Sequence, residues 1–225
     1  MNVLRLSEVF GPTIQGEGPS QGRAAWFVRL SGCNLSCSWC DTPYTWDWKG
    51  QNGTVYSREA ETTTRPVAEI ADELNAAMAG EILVLTGGEP LIQQRSLADL
   101  VGRVPGPVEV ETNGTRYPSL EGVRFNISPK LDNAGCEGAF RPEVLDAYPE
   151  GSILKFVVDH PRDFAEIELR LRDLHVPRDV WVMPQGKTRA EIEERLPWTF
   201  DGAAVRGWSV SSRLHVLTHD DRRGV

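Results

Sequence analysis

Five times along this chain an apolar run is followed directly by a polar motif built on cysteine, glycine, proline or asparagine. Trp26-Phe27-Val28-Arg29-Leu30 leads into the stretch Cys33–Cys40, and Ile82-Leu83-Val84-Leu85-Thr86 into Gly87-Gly88-Glu89-Pro90. Val108–Glu111 leads into Thr112-Asn113-Gly114, Phe125-Asn126-Ile127 into Ser128-Pro129-Lys130, and Val180–Met183 into Pro184-Gln185-Gly186. Runs of this length, rich in β-branched and aromatic residues and closed by turn formers, predict buried strands. Ile153–Val158 is another, residues 3–10 form a first strand or the lead into one, and Trp208–Ser211 is a late one. Helical stripes fall between them: Val67, Ile70, Leu74 and Met78 behind Pro66; Leu97, Leu100, Val101 and Val104; Phe164, Ile167, Leu171 and Leu174; and Thr188–Leu196. Such alternation predicts a parallel sheet, whose strand ends share one rim where ligands bind. About six units in 225 residues are too few for an eight-fold barrel. The expected fold is α/β, an incomplete (open) TIM-like βα barrel in one domain over residues 1–225, with the cysteine loop at its C-terminal rim.

Three of the four cysteines, Cys33, Cys37 and Cys40, fall within eight positions as C-x3-C-x2-C on a loop preceded by Gly32. Thiolates this close can converge on one inorganic centre, and soft sulfur selects zinc or an iron–sulfur cluster. A structural zinc wants four protein ligands, and neither a second CxxC nor a histidine pair lies near. Three thiolates on a four-iron cluster leave one iron open to bind something else. The plain alternative is three thiols without metal. Cys136 stands alone and reads as a packing or surface thiol.

C-x3-C-x2-C with an aromatic residue, Trp39, before the last cysteine resembles the signature of the radical S-adenosylmethionine superfamily. The order Gln15-Gly16-Glu17-Gly18, Phe27-Val28-Arg29-Leu30, Gly32-Cys33-Asn34-Leu35, Trp39-Cys40-Asp41-Thr42, Thr86-Gly87-Gly88-Glu89-Pro90, Glu111–Thr115 and Ser128-Pro129-Lys130 resembles one branch of it, the 7-carboxy-7-deazaguanine synthases. The resemblance implies a lyase that converts 6-carboxy-5,6,7,8-tetrahydropterin to 7-carboxy-7-deazaguanine with loss of ammonia, in 7-deazapurine and queuosine biosynthesis. It implies a 4Fe-4S cluster on Cys33, Cys37 and Cys40, S-adenosyl-L-methionine and Mg2+. A 5′-deoxyadenosyl radical then abstracts hydrogen from the substrate, so no side-chain nucleophile or other catalytic residue is expected.

The resemblance also assigns residues that simple rules would leave in structural roles. Thr42 after Asp41 reads as a turn or cap, and the family places magnesium there. Gly88 and Glu89 read as a strand-to-helix turn, and the family uses them for S-adenosylmethionine. Ser128, Pro129 and Lys130 belong near its ribose and carboxylate, with Trp39, Cys40 and Asp41 and Met183, Pro184 and Gln185 near its adenine. Ile14, Gln15 and Gly16 read as a polar loop, and the resemblance gives them to the pterin, together with Thr86. A charge in a buried strand is costly unless paired or facing a site. Arg29 therefore either closes a salt bridge or forks onto a carboxylate, and the family uses it for the substrate carboxylate. The family's C-terminal carboxylate also reaches the substrate, which would be Val225, although the tail Thr218–Arg223 is polar enough to be disordered. His215 lies in a segment the family places near the site, and its role stays open. The long loop 43–65 carries no motif. Trp39, Trp46 and Trp48 either shield the cluster or simply pack.

A net charge of −8 argues against a nucleic-acid tracker and favours a small-molecule substrate. The N-terminus lacks the pattern of a signal peptide and no apolar run approaches membrane-spanning length, so a cytoplasmic enzyme without membrane contact is expected. The family adds a flavodoxin- or ferredoxin-class one-electron reductant and a homodimer. Two other readings use fewer of the motifs. A glycyl-radical activating enzyme shares the cluster and GGE but needs a groove for a protein loop. A small iron–sulfur electron carrier has no use for Thr86–Pro90.

Overall fold

The computed structural model describes residues 2–225. Nine strands form one sheet: β1 (Val3–Ile14), β2 (Ala24–Leu30), β3 (Thr63–Pro66), β4 (Ile82–Gly87), β5 (Val108–Thr112), β6 (Val123–Ile127), β7 (Ile153–Val158), β8 (Asp179–Pro184) and β9 (Ser209–Val210). The helices are α1 (Arg58–Glu61), α2 (Val67–Ala77), α3 (Gln94–Val101), α4 (Pro142–Leu145), α5 (Asp163–Leu171), α6 (Arg189–Ala204) and α7 (Leu214–His219). The strand order is β3-β1-β2-β4-β5-β6-β7-β8-β9. From β2 to β9 every neighbouring pair is parallel, while β1 pairs antiparallel with both β2 and β3. The sheet does not close, and its architecture is the open TIM-like barrel expected of the βα alternation. Among the described residues no helix is long and apolar enough to cross a membrane.

The period of two along each strand sorts the sequence onto two faces. Leu83 and Leu85, Val108 and Val110, Phe125 and Ile127, and Leu154, Phe156 and Val158 join the main core under the helices. Their alternates face inward. Ala25, Phe27, Ile82 and Val84 form a small apolar cluster at the floor. Most of the other inward positions are polar, Arg29, Glu109, Glu111, Arg124, Asn126 and Lys155, with the apolar Val157 and Met183 facing the cavity nearer the rim. Glu109, Asn126 and Lys155 are buried.

Four local features differ from the sequence expectation. β1 runs beyond residue 10 to Ile14, read as the start of a polar loop, because antiparallel pairing of Thr13 and Ile14 with Ala25 and Ala24 satisfies that backbone. The stretch 43–65 contains α1 and most of β3, an edge strand paired to β1. α6 continues past Pro197 to Ala204. Ile192 and Ala203 are fully buried and Trp198 packs edge-on against Phe164, so tertiary packing outweighs the donor the proline removes. The tail Thr218–Arg223, polar enough to be read as disordered, begins in the last turn of α7 and ends with Arg223 tied to Glu8 and Glu61.

Candidate active site

The cysteine loop is fixed by backbone against backbone. Gly32 N donates to Thr45 O across 2.7 Å, Gly88 N to Leu30 O across 3.0 Å, and Glu89 N to Gly32 O across 2.8 Å. A Cβ on Gly87 would fall inside the Leu30 backbone and one on Gly88 inside the Gly32 carbonyl, so both glycines of the GGE motif serve close approach. Side chains complete the lashing. Asn34 Nδ2 donates to Thr115 Oγ1 (2.9 Å) and accepts at Oδ1 from Asn113 Nδ2 (3.1 Å), while Asn52 Nδ2 donates to the Cys37 carbonyl (3.0 Å).

Cys33, Cys37 and Cys40 all open onto one cavity. Burial pushes the Cys33 thiol up to about 11 and raises the other two, so loading a metal must displace protons. Among the described residues no three Cys, His, Asp or Glu side chains close in to the spacing of a single ion. Three thiols lining one open cavity suit a cluster that keeps one position free for a further ligand, whereas a closed zinc site wants four protein ligands. Cys136 Sγ lies 3.5 Å from Cys37 Sγ but does not line the cavity, so it sits behind the three cysteines that do.

Across the cavity stands a buried ionic wall. Lys155 Nζ donates to Glu17 Oε2 and Glu111 Oε2, each at 2.7 Å. Arg213 Nε donates to Glu17 Oε1 (2.9 Å), its Nη1 to the Gly186 carbonyl (2.5 Å) and its Nη2 to the Asp41 carboxylate. One guanidinium thereby joins three rim segments, those of Glu17, Asp41 and Gly186. Burial alone would raise the Glu17 carboxyl, yet Lys155 and Arg213 overcome it and hold Glu17 far below the carboxylate range. Burial raises Glu111 instead, with Lys155 opposing and Glu17 adding to the rise. Burial lowers His215, which leaves the imidazole neutral near pH 7. A Cβ on Gly16 would collide with the His215 ring, so this glycine lets the Gln15-Gly16 backbone lie against it.

Residues 14–141 match the family described as a 4Fe-4S single cluster domain. The 7-carboxy-7-deazaguanine synthase of Pyrobaculum aerophilum is 38% identical over 98% of this chain and 97% of its own length. That of Rhodopirellula baltica is 32% identical over 98% and 88%. The chain belongs to the 7-carboxy-7-deazaguanine synthase family. The crystal structure of QueE from Escherichia coli superposes with a TM-score of 0.74 at 24% identity, covering 93% of both chains, which bears on the fold.

The residues assigned from the resemblance to the 7-carboxy-7-deazaguanine synthases mostly gather on this cavity. Ile14, Gln15, Gly16, Arg29, Trp39, Asp41, Thr42, Thr86, Gly88, Ser128, Lys130, Met183, Pro184, Gln185 and Val225 line it with the three cysteines. Thr42 makes no capping bond with its side chain. Arg29 does form a salt bridge, Nε to Glu8 Oε1 at 2.5 Å, and also faces the cavity. Lys130 Nζ is held by the Ser128 hydroxyl and carbonyl, each at 2.8 Å. Glu89 and Pro129 do not line it. Glu89 is fully buried and its carboxylate accepts from Leu91 N, Thr112 Oγ1 and Asn113 N.

The ionic wall was less visible in the sequence. Lys155 in Ile153-Leu154-Lys155-Phe156-Val157-Val158 and Glu111 in Val108-Glu109-Val110-Glu111 are charges inside apolar strands, the same signal that singles out Arg29. Arg213 carries no such signal, because a polar segment surrounds it.

Proposed function

We propose that this chain is itself a 7-carboxy-7-deazaguanine synthase, a radical S-adenosylmethionine lyase acting on 6-carboxy-5,6,7,8-tetrahydropterin. The observation that supports the reading best is that three cysteine thiols and a buried ionic wall share one cavity. Cys33, Cys37 and Cys40 hold the 4Fe-4S cluster. When bound, that cluster supplies the electron that cleaves S-adenosylmethionine and so starts the substrate's ring contraction.

The protein's own part is binding, orientation and exclusion of water. Trp39, Cys40, Asp41, Gly88, Glu89, Ser128, Pro129, Lys130, Met183, Pro184 and Gln185 form the S-adenosylmethionine site. Gly88 allows close backbone approach, Lys130 offers a cation to the carboxylate, and Glu89 and Pro129 support the wall from behind. Arg29 pairs with the substrate carboxylate, and Ile14, Gln15, Gly16, Thr86 and Val225 hold the pterin. Thr42 supplies a hard oxygen to Mg2+, an ion that keeps few protein ligands. Glu17, ionised, and neutral His215 offer acceptors to the N–H edge of a pterin. A flavodoxin- or ferredoxin-class reductant, a homodimer and a cytoplasmic location complete the reading.

Anaerobic reconstitution with iron and sulfide, followed by incubation with the carboxypterin, S-adenosylmethionine, Mg2+ and dithionite, tests it. The deazaguanine chromophore is expected from the native chain and not from Cys37→Ala. A loaded native chain that cleaves S-adenosylmethionine yet leaves the carboxypterin unchanged would overturn the substrate assignment.

A further inference from the structure

Each of the three thiol sulfurs in the cavity has a donor facing it. Leu35 N lies 3.5 Å from Cys33 Sγ, Cys136 Sγ 3.5 Å from Cys37 Sγ, and Trp46 Nε1 3.3 Å from Cys40 Sγ. The indole N–H makes the shortest of these contacts, and its carrier is fixed on both sides. Before it, Thr45 is fully buried, its hydroxyl bonds the Thr42 carbonyl at 2.8 Å, and its own carbonyl accepts from Gly32 N at 2.7 Å. After it, the buried Asp47 carboxylate gathers the N–H groups of Lys49 (3.3 Å), Gln51 (2.9 Å) and Asn52 (2.7 Å). Asn52 then returns to the Cys37 carbonyl. Both turns are thus anchored to the cysteine loop, and the indole is held between them. By contrast, Trp39 also lines the cavity but donates its N–H to Asn133 Oδ1 at 3.1 Å.

We infer that Trp46 is a tuning residue: its indole N–H, bonded to the Cys40 thiolate, raises the reduction potential of the cluster. The inference rests on the reading above that these thiolates hold a four-iron cluster. Reduction adds negative charge to the cluster and its sulfurs, so a donor on one thiolate stabilises the reduced form more than the oxidised one. A ring that only kept water out would act with the opposite sign. Removing such a shield admits water, which solvates the added charge and raises the potential. Loss of the donor lowers it. The two roles are therefore separated by the direction of the shift.

The test is a redox titration followed by electron paramagnetic resonance on the full chain, reconstituted anaerobically and free of S-adenosylmethionine. Native protein is compared with Trp46→Phe and with protein carrying 3-benzothienylalanine at position 46. The latter keeps the ring's shape and replaces N–H with sulfur. Donor loss is expected to cut the ratio of reduced to oxidised cluster about tenfold at a fixed ambient potential, about 59 mV for a one-electron couple. A downward shift with benzothienylalanine supports the inference even if Trp46→Phe, which also opens space for water, shifts less or loads poorly. An unchanged or raised potential with benzothienylalanine overturns it while leaving the function standing. A native chain that takes up no four-iron cluster overturns both.

Discussion

Lys155 on β7 reaches Glu111 on β5 past the intervening strand, Nζ to Oε2 at 2.7 Å, and at the same distance it holds Glu17 from the rim. The lysine side chain is 3% exposed, so its charge is tolerated through these two carboxylates. Lys155→Met leaves two facing carboxylates without their shared cation and is expected to cost about 3–5 kcal/mol in a urea unfolding experiment. Adding Glu111→Gln removes one of the stranded charges and should return part of that loss. A double variant no more stable than the single one would show that the lysine's packing, not its charge, is what matters.

Acid should weaken the same wall. Glu17 is held far below its ordinary carboxylate value, against its burial, by Lys155 and Arg213. A carboxyl depressed in the folded state contributes stability that is complete above its unfolded value, about 4.5, and is lost as pH falls through the folded value. Asp41, depressed by Arg213 against its burial, acts in the same direction, whereas Glu111, raised by burial, acts in the opposite one. Glu17→Gln is therefore expected to be less stable than the native chain by on the order of 2 kcal/mol at pH 7. The gap should narrow steadily below about pH 4.5. Chemical denaturation at a series of pH values measures it, and a gap that widens on acidification would contradict the ionic account.

How much of this could be read beforehand follows from what each residue responds to. The strands and the outer core were legible because Leu83, Leu85, Phe125 and Phe156 sit in short apolar runs that are closed by turn formers and alternate with helical stripes. The rim motifs were legible because glycine and cysteine at fixed spacing leave few alternatives, as Gly88 against the Gly32 carbonyl illustrates. Arg213 and Cys136 were not. Arg213 meets Glu17 and Asp41 across 196 and 172 positions of chain, and Cys136 meets Cys37 across 99. Contacts at such separations are set by the curvature of the whole sheet and leave no periodic trace. Of the two readings of the tail, disorder fails for a related reason: its polarity suggests solvent, while Arg223 finds partners on β1 and α1.

Cys136 gives a sharp contrast with its neighbour. It lies behind Cys37 and away from the cavity, so Cys136→Ala is expected to retain the same iron per chain as the native sequence, and Cys37→Ala to lose it. Iron and sulfide assays decide this; a drop in iron for Cys136→Ala would make it a ligand. In metal-free protein the two sulfurs, 3.5 Å apart, need to approach by about 1.5 Å to form a disulfide. Hydrogen peroxide should link them, two thiols and one peroxide giving a disulfide and two waters. The protein then loses two hydrogens in mass and takes up iron only after reduction.

Arg223 closes the last element of the chain over the cavity. Its guanidinium stacks on Tyr44 at 3.8 Å, donates to Glu61 at 2.7 Å and lies 3.3 Å from Glu8, the carboxylate that also holds Arg29. Gly224 turns the backbone with φ of 71°, and Val225 then lines the cavity. Each of these contacts is partly exposed and worth at most about 1 kcal/mol, so together they bias the position of the tail without deciding the fold. Arg223→Ala is accordingly expected to leave the unfolding midpoint nearly unchanged. With a tail docking energy of about 1.4 kcal/mol removed, KM for the carboxypterin should rise about tenfold with kcat little altered. Arg223→Lys keeps the charge but loses the planar stack and the fork, so it should recover only part of the affinity. Hydrogen exchange of residues 220–225 in the substrate-free protein gives an independent readout, with faster exchange expected in the alanine variant. Unchanged exchange together with an unchanged KM would mean that the tail reaches the cavity without the arginine.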